Sequence, residues 1–316
     1  MGKLIAQRLG LAVVTLAAFS VLIFAGTEIL PGDLASAILA NNATPENLAA
    51  LRHQLHLDLP AYVRFWNWAS GVAFHADFGT SLASGQPVLD EIIPRLKNTM
   101  FLALAAAIVS VPLSVVLGLT AAIKQGSVYD RLVNVVTLMT ISVPEYFMGY
   151  ILITIFAMQL GWFSPISNVT PEMPFFERIL YTILPMSTLV LVVVAHMMRM
   201  TRASVLAIMA SPYIEMAILK GIPKWRIVVQ HALPNALAPI ISVIAINLAY
   251  LITGVVLAEV VFVYPGLGQF MVDSVSKRDM PMVQGCGLIF AAAYIMLNMI
   301  ADVLAIMTNP RLRHPR

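Results

Sequence analysis

Glu145 is the residue that composition alone explains least. It follows Pro144 inside the apolar run Leu132–Leu160. An ionisable group at bilayer depth costs about 2.5–3.5 kcal/mol on insertion scales, and groups kept there despite that cost tend to mark pathways. Two readings stay open. Glu145 could line a translocation path and meet a passing ammonium group, or it could be a neutral or hydrogen-bonded carboxyl held by a neighbouring helix. Asn247 and Thr253, in another apolar run, could line the same path or bond helix to helix. Asp302 is expected to pair with a basic residue. Met197, Met198 and Met200 offer adaptable apolar surface that suits packing or a gate. For His196 and Arg199 the expectation is snorkelling toward a nearby boundary.

Other chemistries are poorly served. His53 and His56 stand three apart, but no third ligand accompanies them, so no metal site is expected. Cys286 is the only cysteine, which excludes an intramolecular disulfide and a cysteine metal cluster. There is no Gly-x-x-x-x-Gly-Lys-Ser/Thr phosphate loop, so the chain cannot hydrolyse ATP by that route. There is also no His-Glu-x-x-His and no Gly-x-Ser-x-Gly. Asn42-Ala43-Thr44 and Asn168-Val169-Thr170 match glycosylation sequons, to which no role is assigned.

A second constellation is the short polar stretch Ser211–Pro234 between two apolar segments. Ser211 is a suitable N-cap and Pro212 fits the first turn. Glu215 lies near the positive end of that helix. The helix should run to about Lys220, with Gly221 in the left-handed position, Ile222 packing back on Met216 or Ala217, and Pro223 preventing continuation. A second helix, roughly Lys224–Ala232, should end where Pro234 opens the next apolar segment. The result is a basic helix–corner–helix with Tyr213, Ile214 and Trp225 expected outside, suited to burial against a partner.

These residues need a scaffold, and composition says which kind. Of 316 residues, 59% are hydrophobic and 11% charged, with a mean hydropathy of +0.86. Soluble domains carry about 25% charged residues, so the bilayer is the expected solvent. A helix needs about 20 apolar residues to cross it. Six segments qualify: Leu9–Leu30, Thr99–Ile123, Leu132–Leu160, Ile179–Met198, Asn235–Leu257 and Met282–Met307. The third is read as one helix that tolerates Pro144. Met1–Leu30 has signal-peptide character, but its apolar run is long and Pro31-Gly32-Asp33 is a poor cleavage site, so a retained first helix is expected. The net charge of +3 reflects loop basicity rather than nucleic-acid binding.

Six crossings place both termini on one side. Twelve of the nineteen Lys and Arg fall on that side, including Lys3, Arg8, Lys220, Lys224 and Arg226, and the other seven fall opposite. The positive-inside rule makes the termini and Ser211–Pro234 cytoplasmic. Residues 31–98 form a long external loop. Thr44-Pro45-Glu46 should start a helix there, with Leu48, Leu51 and Leu55 on one face and Pro60 ending it. Tyr62, Phe65, Trp66 and Ala69 should form a second face, with Trp66 and Trp68 at the membrane interface. Phe78–Pro87 reads as turn and loop. Three regions follow: 1–30 with the first span, 31–98 as a helical cap, and 99–316 as a five-helix core carrying the loop 211–234.

Glu215, Ala217, Gly221, Leu233 and Pro234 resemble the EAA loop of ATP-binding-cassette importer permeases, with Met216 in place of the first Ala and His231 in place of Ile. RLGLAVVTLAAFSVLIFAGTEILPGD, LHLDLPAYVRFWNW, DFGTSL, PRLKNTMFLALAA, VFVYPGLGQFMVDSVSKRDMPMVQG and NPRLRH look like the first permease of dipeptide/oligopeptide importers. His56 and His75 depart from the family's usual glycines, within the cap. The resemblance implies an all-α integral membrane protein of type I importer architecture, with a periplasmic cap and a cytoplasmic coupling helix, in the bacterial inner membrane. It implies a second homologous permease, two ATPases holding ATP and Mg, and a periplasmic or lipid-anchored binding protein that approaches the Val263–Phe270 turn. It gives this chain no cofactor. Tyr213, Glu215, Ala217, Gly221, Trp225 and Pro234 become the expected coupling residues, and Glu145, Asn247 and Thr253 the expected path. The expected cargo is a di- or oligopeptide, with glutathione or a nickel chelate as alternatives. A secondary transporter or channel that works without an ATPase is the rival from another class, and it would favour charge pairs and inverted repeats that are not evident.

Overall fold

The computed structural model describes residues 2–29, 39, 44–54, 57–170 and 172–308. His56, Leu55, Pro31-Gly32-Asp33, Asn42-Ala43 and the NPRLRH tail from Asn309 lie outside those residues, as do the side chains of Thr253 and Asp302. Among the described residues all regular structure is helical, apart from one isolated bridge between Thr80 and Pro87.

Helix α1 (Gly2–Ile29) is followed by two short helices of the cap, α2 (Pro45–Gln54) and α3 (Ala61–His75). The Thr44 hydroxyl accepts from the Asn47 amide at 3.3 Å, so α2 starts as its residues predict. Pro60 does not end α2. It stands as the N-cap of α3. In α3 the expected face is divided by helical geometry. Phe65 and Trp68 pack on Phe24 of α1, while Tyr62 and Trp66 are exposed. Arg64 bonds Glu28 at 2.6 Å and completes this attachment.

The core comprises α4 (Val88–Ile123), α5 (Val128–Ser142), α6 (Glu145–Leu152), α7 (Phe175–Met209), α10 (Leu233–Phe262) and α12 (Met280–Thr308). Between α7 and α10 lie α8 (Pro212–Leu219) and α9 (Lys224–Arg226), and α11 (Leu267–Ser276) precedes α12. Among the described residues five helices are long and apolar enough to span a membrane. A bent pair, α5 with α6 and its π-helical continuation Ile153–Gln159, occupies the third segment. That segment is therefore not one helix. Pro144 has no amide hydrogen and its ring disfavours helical geometry at the preceding residue. Val143 accordingly takes φ −93° and ψ 127°, and the chain turns by 104°.

The closest pairing is α4 with α7, and small residues make it possible. Ala106, Ser110, Ser114, Gly118 and Ala122 recur every fourth position and are all buried. A Cβ on Gly118 would lie 2.9 Å from the Met198 carbonyl and from Thr201. In lipid, where apolar burial gives helices little reason to associate, such backbone approach supplies the packing. Gly118→Val is expected to cost about 1–3 kcal/mol through overpacking, read as a lowered melting temperature of the solubilised protein. Gly118→Ala should fall between.

Candidate functional site

At one end of the bundle, hereafter the loop face, α8 and α9 form the corner that the residues predict. Gly221 has φ +75°. The Ile222 amide bonds the Ala217 carbonyl at 3.2 Å and the Gly221 amide bonds Ile218 at 2.9 Å. That is a Schellman cap, which favours glycine at its left-handed position. Ser211 behaves differently from expectation. Its hydroxyl donates backward to the Ile208 carbonyl at 2.5 Å, closing α7. The Ser211 carbonyl instead accepts from Ile214 and Glu215.

Ile214 is not on the outside. It is fully buried, and with Ala217 it packs into a cluster containing Ala122, Val205, Ile227, Val228 and Ala236. Residues three apart share a helix face, so Ile214 and Ala217 turn inward together. Tyr213, Glu215, Met216 and Leu219 point out, and Trp225 joins them in exposure. Ala217 thus anchors the corner, while Tyr213, Glu215 and Trp225 present it. The second arm also differs. It does not stop at Pro234 but runs into α10 through a π-helical stretch, Ile227–Ala232. The wider π turn precedes a proline that cannot complete a regular ladder. The loop is thereby a rigid extension of a spanning helix.

Glu145 lies at the first position of α6, just past the break, where a helix N-terminus favours a carboxylate. Its carboxylate rests on Gly254 of α10, where a Cβ would stand 2.6 Å from Oε1. Among the described residues no hydrogen bond reaches it. Asn247 is buried and bonds the Val243 carbonyl of its own helix at 2.8 Å, rather than another helix.

The opposite end, the cap face, holds a carboxylate that sequence reasoning missed. Glu259 of α10 is fully buried. It accepts from the Thr99 hydroxyl at 2.6 Å, the Gly268 amide at 2.7 Å and the Gln269 amide at 3.2 Å. It therefore caps the N-terminus of α11 from inside the turn Val263–Gly266. Around it, Thr99 accepts from the Leu267 amide, Tyr264 donates to the Asn98 carbonyl, and the Asn98 amide donates to Pro265 at 2.8 Å. Arg178 fixes Asn98 at 2.6 Å. A Cβ on Gly266 would collide with the Glu259 carboxylate. The signal was present in the sequence, since Glu259 is a lone acid among apolar residues, as Glu145 is. Nearby, Asp279 accepts from the Ser81 hydroxyl at 2.5 Å and from the Leu82 and Ala83 amides, which ties the Phe78–Pro87 loop to α12.

A further acid, Asp130, holds the loop-face end of α5. Arg202 of α7 bonds both its oxygens at 2.8 Å, and Asn134 and the Gly126 amide complete the set at 2.9 Å. Beside this pair a cavity of about 360 Å³ opens between α5 and α7, lined by Asn134, Ile141, His196, Arg199, Met200 and Arg202. His53 is exposed on α2, and among the described residues no group of three metal-ligating side chains occurs.

Spanning helices joined to a rigid, outward-facing corner at one end and a carboxylate-capped turn at the other define a multi-pass membrane component. The particular family follows from comparison. Residues 114–314 match the family described as binding-protein-dependent transport system inner membrane component, and residues 1–103 match the N-terminal region of such components. The chain belongs to this family and is the permease component of an ATP-binding-cassette importer. It is 36% identical to a probable peptide ABC transporter permease protein, y4tP, of Sinorhizobium fredii (strain NBRC 101917 / NGR234), over 99% of this chain and 100% of that one. It is 35% identical to the glutathione transport system permease protein GsiC of Escherichia coli (strain K12), over 98% of each. The GsiC of Shigella dysenteriae serotype 1 matches at the same level. Proteins of this family work in general with ATPase and substrate-binding partners.

Proposed function

We propose that this chain carries peptides across the bacterial inner membrane by alternating access, driven by two separate ATPase subunits that hold ATP and Mg. The observation that carries the reading is the division of the 211–234 corner. Ile214, Ala217, Ile227 and Val228 lock it to the bundle, while Tyr213, Met216, Leu219 and Trp225 remain exposed. Closure of an ATPase pair against that surface would move α10, because the π-helical stretch joins α9 to it without a break. The excess of Lys and Arg on this side makes the loop face and both termini cytoplasmic. A second homologous permease completes the membrane pair. A periplasmic or lipid-anchored binding protein meets the cap, residues 31–98, and the turn that Glu259 holds. Glu145 would meet the ammonium end of the cargo, with Asn247 and Thr253 on the neighbouring helix. Glutathione, itself a tripeptide, is a second cargo of the same chemistry, supported by the names of the relatives.

The test separates the outer face from the inner anchors. Tyr213→Glu with Trp225→Glu leaves Ile214 and Ala217 in place. Reconstituted complexes with this pair should lose ATP-driven peptide uptake by about a hundredfold, equivalent to about 2.7 kcal/mol, and should retain less ATPase subunit on purification. Gly221→Val, which forces a β-branched side chain to φ +75°, should weaken uptake more mildly, by about tenfold. Normal coupled uptake by the double variant would sink the role given to this surface.

A further inference from the structure

We infer that Arg199, with His196 beside it, receives the terminal carboxylate of a peptide during passage. The inference rests on the peptide reading above and names the second end of the cargo's site. Two arginines border the cavity between α5 and α7. Arg202 is already neutralised by the bidentate pair with Asp130. Arg199 is exposed, and among the described residues it makes no ion pair or hydrogen bond. It lies ten residues before the end of α7 at Met209, about 15 Å along the axis at 1.5 Å per residue. A planar guanidinium with a free fork of donors is the side chain best matched to a carboxylate. The cavity's volume of about 360 Å³ falls within the range of small-molecule sites.

Spacing supplies the second argument. The rings of His196 and Tyr250 lie 6.5 Å apart, which sets α7 against α10 at this level. Gly254, one turn beyond Tyr250 on α10, carries the Glu145 carboxylate. Arg199 lies nearly one turn from His196 in the opposite direction, because the two helices run antiparallel. One turn each way sets acid and base about 10 Å apart along the bundle axis. An extended tripeptide spans about 10 Å at 3.3–3.6 Å per residue. An anionic end toward the cap face and a cationic end toward the loop face therefore suit a short zwitterionic peptide that enters with its ammonium at Glu145. Ile141 lines the cavity two residues before the Val143–Pro144 break that precedes Glu145.

The experiment compares trialanine with its C-terminal amide. Equilibrium binding to the assembled permease–ATPase complex is measured by scintillation proximity in phosphatidylcholine nanodiscs, without binding protein. The wild-type complex should bind the free acid at least about tenfold more tightly than the amide, a difference of about 1.4 kcal/mol. Arg199→Gln should weaken the acid alone and erase that difference. Arg199→Lys, which keeps charge without the fork, should retain part of it. Equal binding of acid and amide by the wild type would overturn the inference, and so would equal weakening of both by Arg199→Gln. If phosphatidylglycerol displaces acid and amide alike in an Arg199-dependent way, the group is a lipid-phosphate site and the inference fails. Retention of ATP hydrolysis shows that each variant is assembled. The import reading is tested apart, by ATP-driven uptake in the wild-type complex with binding protein. Absence of uptake would defeat that reading whatever the nanodiscs report.

Discussion

Glu259→Ala is expected to remove at least about 3 kcal/mol of stability from the cap-face turn, because three buried donors lose their acceptor and each costs about 1–3 kcal/mol. Those donors are the Thr99 hydroxyl and the Gly268 and Gln269 amides. The Thr99 hydroxyl and the Gly268 amide cannot turn to water, because both residues are buried. Glu259→Gln should recover only part of the loss. An amide offers one acceptor oxygen, and its NH2 group must then face either Thr99 or the two α11 amides. Glu259→Asp should resemble alanine more than glutamine, since its shorter arm withdraws the carboxylate from both groups. The measurements are the melting temperature of the solubilised permease and binding-protein-stimulated ATP hydrolysis. Both should fall in the order wild type, Gln, then Asp with Ala. An alanine variant that melts with the wild type and is stimulated normally would show that the turn holds itself by other means.

The second large effect is expected at Asp130. Its carboxylate is nearly inaccessible and faces an arginine that is itself about one-fifth exposed. Breaking a buried pair from one side costs about 3–5 kcal/mol, because the remaining charge is left uncompensated. The partial exposure of Arg202 puts Asp130→Ala toward the lower figure. Asp130→Ala with Arg202→Met removes both charges and should restore most of the stability, as paired apolar replacements often do. Urea midpoints or melting of the two variants decide this. If the double variant is no better than the single, the lost bonds from Asn134 and Gly126 matter more than the arginine. The pair also borders the cavity beside Arg199. The double variant therefore offers a check that stability and peptide binding there are separable.

Much of the loop-face site was legible in residue order. Proline after serine, glycine before proline and a short amphipathic run are local signals, and a Schellman corner needs nothing beyond its own residues. Which side of α8 faces out was less legible. Ile214 and Tyr213 are adjacent and both apolar, and only the seat formed by Val205, Ile227 and Ala236 selects between them. The third segment shows the same limit from another side. Pro144 predicts a disturbance, but a proline in a spanning helix gives a mild kink or a 104° turn according to what packs around it. Here α6 leans on α10, where Gly149 approaches Phe262 and Gly254 accepts the Glu145 carboxylate.

The cap-face network was the least legible part. Thr99, Asn98, Arg178, Glu259 and Gly268 come from three separate stretches, and no spacing rule relates them. Hydropathy settled, before any coordinates, that this chain lives in a bilayer with its apolar segments across it, because lipid leaves the backbone few alternatives to helix. Local punctuation settled the corner at Ser211–Pro234 for a similar reason, since φ and missing amides act at the residue that carries them. Tertiary structure alone decided which acids are held and which stand open. Burial and hydrogen bonding belong to neighbours distant in the chain. So Glu259 and Asp130 are fully bonded, while among the described residues Glu145 and Arg199 have no hydrogen-bond or ion-pair partner.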